Sequence, residues 1–112
     1  MEHEVSILKP ARDFICSLDS KMRAKIYRTI DLLKEFGIFL PEPHAKAIKS
    51  AKGLRELRIK LGSNICRLFY FYHKNNMFII TSGFIKKSQK TDKREIEKAI
   101  NLMNTFLEDY DE

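Results

Sequence analysis

The chain is poor in the side chains that build metal centres and covalent staples. Its 112 residues include two cysteines, Cys16 and Cys66, far apart and in no metal-ligand spacing. The three histidines, His3, His44 and His73, are equally scattered, so neither a structural zinc site nor any other metal or cofactor is expected. Carboxylates are scarce where they would matter: between residues 44 and 67 the only acidic side chain is Glu56. A two-metal nuclease centre, which needs several clustered carboxylates, is thereby disfavoured. There is no Gly-rich phosphate loop and no Ser-His-Asp order. No apolar run approaches the ~18 residues of a membrane span, and the start, MEHEVSILKP, is too charged for a signal peptide. A cytoplasmic protein with no membrane partner and a single domain over residues 1–112 is expected.

What the chain does have is unevenly placed positive charge. The net charge is +6. Residues 44–67 alone carry seven basic side chains against Glu56, for +6, and residues 84–94 add a further +4, so the rest of the chain is −4. Such asymmetry implies a polyanionic partner rather than mere solubility.

The two basic segments bracket a stretch that reads as three consecutive strands. From Leu57 apolar and polar residues alternate: Leu57, Ile59 and Leu61 fall on one face, Glu56, Arg58 and Lys60 on the other. Gly62-Ser63-Asn64 supplies a tight reversal. Ile65 to His73 is apolar or aromatic on both faces except at Arg67, as expected for a central strand. Lys74-Asn75-Asn76 turns the chain again into Met77–Ile85, which ends in Lys86-Lys87. Tyr70 and Tyr72 fall opposite Arg67 on the pleat, and are expected to pack under a helix.

Around this meander, Glu4–Leu8 reads as an edge strand, and Ala11–Leu18 as a short helix with Pro10 in its first turn. A longer helix, capped by Asp19 or Ser20, carries Met22, Ile26, Ile30 and Leu33 at helical spacing and stops at Gly37. Residues 37–44 read as a loop, and 45–52 suit either a helical turn or extended chain. A final helix is capped by Thr91 or Asp92, with Glu95 completing a capping box, and has an apolar stripe from Ile96 to Tyr110. The order predicts an α+β domain: a small antiparallel sheet, an N-terminal αα-hairpin, a C-terminal helix, and helices mainly on one face.

Arg67 is the anomaly, because a guanidinium on a central strand must pair or face a cleft. With Glu56, Arg58 and Lys60 on the neighbouring strand and Lys86 and Lys87 beyond the next, these groups can converge on one phosphodiester. RNA cleavage through the 2′-hydroxyl needs a base, cations on the pentacovalent phosphorane and an acid for the 5′-oxygen. Arg67 suits the phosphorane, Glu56 or Lys60 the base, and Lys86 or Lys87 the acid or a phosphate clamp. Lys46, Lys49, Lys52, Lys60 and Lys90 are the expected RNA-binding residues. A simple Glu56–Arg58 ion pair on one strand face is the plainer alternative for those two.

At these residues the chain resembles the RelE/HigB superfamily of toxin–antitoxin toxins, closest to its phage-derived HigB-like branch. The resemblance rests on GLRELRIK (53–60), CRLFYF (66–71), GFIKKSQKT (83–91), EIEKAI (95–100) and LLKEFG (32–37). It implies a RelE-like fold and a ribosome-dependent mRNA endonuclease that cuts codons in the ribosomal A site. A cognate helix-turn-helix, HigA-like antitoxin would neutralise it. RelE-type toxins alternate two basic residues on the strand before an arginine in an R-hydrophobic-hydrophobic-Tyr run. Here these fall on Arg58 and Lys60, and on Arg67 with Tyr70, while the ELR triplet of the HigB-like branch falls on Glu56 to Arg58. The chain departs from RelE in having no tyrosine or histidine close after Lys87. Two alternatives stay open: a ParE-type inhibitor of DNA gyrase on the same fold, and a non-enzymatic nucleic-acid- or protein-binding module.

Overall fold

The structure, a computed structural model, describes residues 2–86 and 92–110. The chain runs β1 (Glu4–Ile7), α1 (Lys9–Cys16), α2 (Ser20–Phe36), a 3-10 turn (Gly37–Phe39), β2 (Ala45–Ala47), β3 (Leu54–Leu61), β4 (Asn64–His73), β5 (Met77–Ile85) and α3 (Lys93–Tyr110). The expected α+β architecture is present. The five strands form one sheet in the order β1-β5-β4-β3-β2, with β4 at its centre. β1 is an edge strand as expected, but it lies parallel to β5, whereas all other pairs are antiparallel. Residues 45–52, which suited either conformation, form the short edge strand β2 and a turn.

Local chemistry sets the element ends. Pro10 sits in the first turn of α1, where its missing N–H is no loss. The Asp19 carboxylate caps α2 by accepting from the Met22 N–H at 2.8 Å. Gly62 takes a positive φ of 61° in the β3–β4 turn. Asn75 and Asn76, at φ 66° and 58°, make the β4–β5 turn, a conformation asparagine tolerates better than most residues. At α3, the Asp92 carboxylate accepts from the Arg94 N–H at 2.8 Å, while its backbone carbonyl accepts from the Glu95 N–H at 3.1 Å. The other candidate cap, Thr91, lies outside the described residues.

The larger core forms between one sheet face and the αα-hairpin. Leu57, Ile59, Cys66, Leu68, Tyr70, Phe78 and Ile80 meet Ala11 and Ile15 of α1 and Met22, Ile26, Ile30 and Leu33 of α2. Burial there pushes the Cys66 thiol pKa up to about 12, which keeps it an inert hydrophobe. Gly83 lets α1 approach: a Cβ there would sit 2.6 Å from the Phe14 ring and 2.5 Å from Leu68. Tyr70 is under the helices as expected. Tyr72, near the end of β4, is half exposed and meets Phe78 edge-on, beyond the helices' cover.

α3 covers the opposite face, so the sheet is sandwiched rather than backed on one side. Ala99 is buried with Leu54 and Phe69, and Ile96, Ile100, Met103 and Phe84 close around them. Farther along, Phe106 and Tyr110 pack on His73. The helix leaves part of this second face uncovered, at Glu56, Arg58 and Arg67.

Candidate active site

The register brings the basic residues together. β3 and β4 pair with Arg58 directly opposite Arg67 and Glu56 opposite Phe69, so all four project from the second face. On the other side of β3, Lys46 of β2 stands opposite Glu56. Two cations directly opposite each other repel. Glu56 offsets this by reaching diagonally across the ladder: its Oε1 accepts from Arg67 Nη1. The partner of Glu56 is thus Arg67, not Arg58 as the plainer sequence reading has it, because the diagonal neighbour across the strands is within reach while Arg58 projects outward.

That ion pair is buried, with Glu56 3% and Arg67 6% exposed. The pairing is one-sided. Glu56 Oε2 and Arg67 Nε are both buried, with no hydrogen-bond partner among the described residues. A desolvated pair with spare hydrogen-bonding capacity is a costly arrangement for stability alone.

Lys86 reaches the same place through an irregularity in β5. Phe69 registers with Ser82 but Tyr70 with Ile80, so Thr81 is an extra residue on β5. The bulge reverses the pleat. Before it, Phe78 and Ile80 face the αα-hairpin; after it, Phe84 stacks on Phe69 under α3. Lys86 donates its backbone N–H to Ile65 O at 2.8 Å and follows Phe84 onto the second face. Without the extra residue, Lys86 would point towards the αα-hairpin and away from Arg67.

The result is a cleft of about 610 Å³ with Glu56, Arg58, Arg67 and Lys86 at its centre. Lys46, Lys49, Glu42, Pro43 and the first turn of α3 at Ile96 form its rim. Of the expected site residues, Glu56, Arg58, Arg67, Lys86, Lys46 and Lys49 converge. Lys60 lies in an adjoining groove, and Lys52 is exposed away from both. Lys87 and Lys90 are outside the described residues. Glu42 and Pro43 have no charge pattern to mark them as site residues, and the helical periodicity of Ile96 marks it only as core; the packing of loop and helix places all three here. Among the described residues no cluster of His, Cys, Asp or Glu is arranged to hold a metal ion.

The electrostatics of the cleft register on Lys86. Partial burial is the main cause lowering its ammonium pKa, followed by the Arg67 charge; Glu56 opposes this, and Arg58 and Lys46 add to it. Raising the pH therefore strips the proton from Lys86 before ordinary lysines lose theirs. Binding of a 2′-O-methylated oligoribonucleotide is expected to weaken on an alkaline limb lying below the usual lysine range. Lys86→Arg should move that limb upward. An unchanged limb in this variant would mean that another group titrates.

Comparison with known proteins places this geometry in context. The family described as phage-derived protein Gp49-like (DUF891) matches residues 13–104. The chain belongs to the phage-derived Gp49-like family. Among solved structures, this Gp49-like chain is similar to a double arginine-to-alanine mutant of the E. coli toxin RelE in the free state. The TM-score is 0.64 at 17% identity, over 90% of this chain and 97% of that one. It is also similar to a chain of the RelBE toxin–antitoxin complex from Mycobacterium tuberculosis, with a TM-score of 0.57 at 16% identity, covering 77% of this chain and 100% of that one. The archaeal RelE–RelB complex from Pyrococcus horikoshii gives 0.54 at 18% identity, covering 81% and 100%. No curated protein matches. The fold is that of RelE toxins, as the sequence resemblance implies.

Proposed function

We propose that this Gp49-like protein is the toxin of a type II toxin–antitoxin system and acts as a ribosome-dependent, metal-independent mRNA endonuclease in the cytoplasm. The observation that carries the reading is the cleft on a RelE fold, in which Arg58, Arg67, Lys46 and Lys86 surround one acidic group, Glu56. In the proposed step the 2′-oxygen attacks the adjacent phosphorus, and its proton passes to a base. The P–O5′ bond breaks, leaving a 2′,3′-cyclic phosphate, and an acid protonates the departing 5′-oxygen. Arg67 and Arg58 stabilise the charge on the phosphorane. Lys86, whose ammonium is made less basic by partial burial and the Arg67 charge, suits proton delivery to the leaving oxygen, or a clamp on the phosphate. Glu56 is the candidate base, provided that substrate draws Arg67 away from it. Lys60 lines the adjoining groove rather than the cleft, and is assigned to RNA binding. A HigA-like helix-turn-helix antitoxin is the proposed neutralising partner, and mRNA in the ribosomal A site the substrate.

Inducible expression in a bacterium, with growth followed and mRNA 5′ ends mapped, tests this. Growth arrest with new cuts inside translated codons is expected. Arrest with intact mRNA and stalled DNA replication would move the assignment to gyrase inhibition, and no arrest from soluble, folded protein would leave a binding module.

A further inference from the structure

Beside the cleft runs a second groove, of whose lining only Arg58 takes part in the proposed cleavage step. It has a volume of about 320 Å³ and lies between α2 and the outer margin of β3, lined by Lys25, Thr29, Pro43, His44, Arg58 and Lys60, with Ile59 at its base. Arg58 and Pro43 line both cavities, so the two adjoin. The groove exists because β2 is short. It registers only with residues 55–57 of β3, and the last rung is the Arg58 N–H donating to His44 O at 2.8 Å. β3 continues past that rung to Leu61, and α2 flanks the margin.

Its chemistry is cationic throughout. Three basic side chains line it with no carboxylate among them. The Thr29 hydroxyl already donates to the Lys25 carbonyl at 3.0 Å, so the Lys25 ammonium is the group left to face a ligand. Among the described residues neither Lys25 nor Lys60 forms an ion pair. Arg58 and Lys60 project from the same side of β3, roughly 6.6 Å apart along the strand. That is about the step from one phosphate to the next along an extended polynucleotide.

We propose that this groove is a second phosphate subsite, which holds the backbone of nucleotides flanking the one in the cleft, with Arg58 gripping the strand where it passes between the two. The proposal rests on the nuclease reading above. It favours a single-stranded polynucleotide over an acidic peptide because the groove opens from the cleft itself and repeats its charge at phosphate spacing.

The test is binding of fluorescent, 2′-O-methylated RNA by anisotropy at several salt concentrations. Wild type is compared with Lys25→Gln/Lys60→Gln and with Lys21→Gln/Lys98→Gln, two exposed lysines outside both cavities. For a hexanucleotide the groove variant is expected to lose about tenfold in affinity. Its log–log salt slope should fall by about 1.4, from two lost phosphate contacts on a single strand. For a dinucleotide the groove variant should lose less affinity than for the hexanucleotide, and the control pair none. An equal loss in the control pair, or an unchanged slope in the groove variant, would overturn the subsite. So would an equal loss of affinity for an oligoglutamate peptide, which would mark the groove as a peptide contact. If wild type binds no free hexanucleotide, the subsite fails, while the ribosome-dependent nuclease reading is decided separately by the mapped mRNA 5′ ends. If the groove variant keeps full RNA affinity while Arg67→Lys stops cleavage, the subsite alone fails.

Discussion

Arg67→Lys is expected to abolish growth arrest and to lower mRNA cleavage by at least about 100-fold, the scale of losing one preorganised donor to a developing oxyanion. An ammonium keeps the charge but cannot grip two phosphate oxygens with paired, fixed nitrogens, as a planar guanidinium can. The variant should still fold, because lysine can remain paired with Glu56 on the buried floor of the cleft. Arg67→Ala is a less clean test. It should be equally inactive, but it leaves Glu56 as a buried carboxylate without a counter-charge, so stability falls along with chemistry. Growth curves, mapped 5′ ends and a thermal melt on each variant separate the two effects. A well-expressed Arg67→Lys protein that still arrests growth would remove Arg67 from the site.

The second large effect is on the fold. Glu56→Ala should cost about 3–5 kcal/mol, because it strands the buried Arg67 charge without its carboxylate partner. For a domain of this size that lowers the melting temperature by more than about 10 °C. The double substitution Glu56→Leu/Arg67→Met removes both charges and should recover most of the loss while remaining inactive, since a buried pair is often worth no more than apolar residues of similar volume. The two single substitutions should therefore be strongly non-additive. A Glu56→Ala melt within about 2 °C of wild type would show that the pair is not desolvated, and with it the idea that the site stores a costly buried charge would fall.

Much of the site was legible because its signals are short-range. Alternation along residues 56–61 follows from the pleat alone, so Glu56, Arg58 and Lys60 were assigned to one face. Arg67 stood out because a lone charge in an apolar run has no cheap explanation. The Asp19 cap, the Gly62 and Asn75-Asn76 turns and the helical stripes are set by contacts within a few residues, and they match the structure. The partner of Glu56 was not legible. Choosing between Arg58 and Arg67 requires the register of β3 against β4, which depends on a turn and on two packed faces.

By itself, then, the sequence determined the elements, the two-faced strands and the concentration of charge around them, because each depends on sterics and hydrophobic periodicity between near neighbours. The tertiary structure alone decided that β1 lies parallel to β5, that α3 covers the second face, and that the extra residue at Thr81 turns Lys86 towards Arg67. It also decided where β2 stops, and so that a basic groove adjoins the cleft. These are outcomes of packing between segments distant in sequence. A single inserted residue in a strand reverses every side chain after it, yet leaves a run such as IITSGFIK reading as one continuous strand.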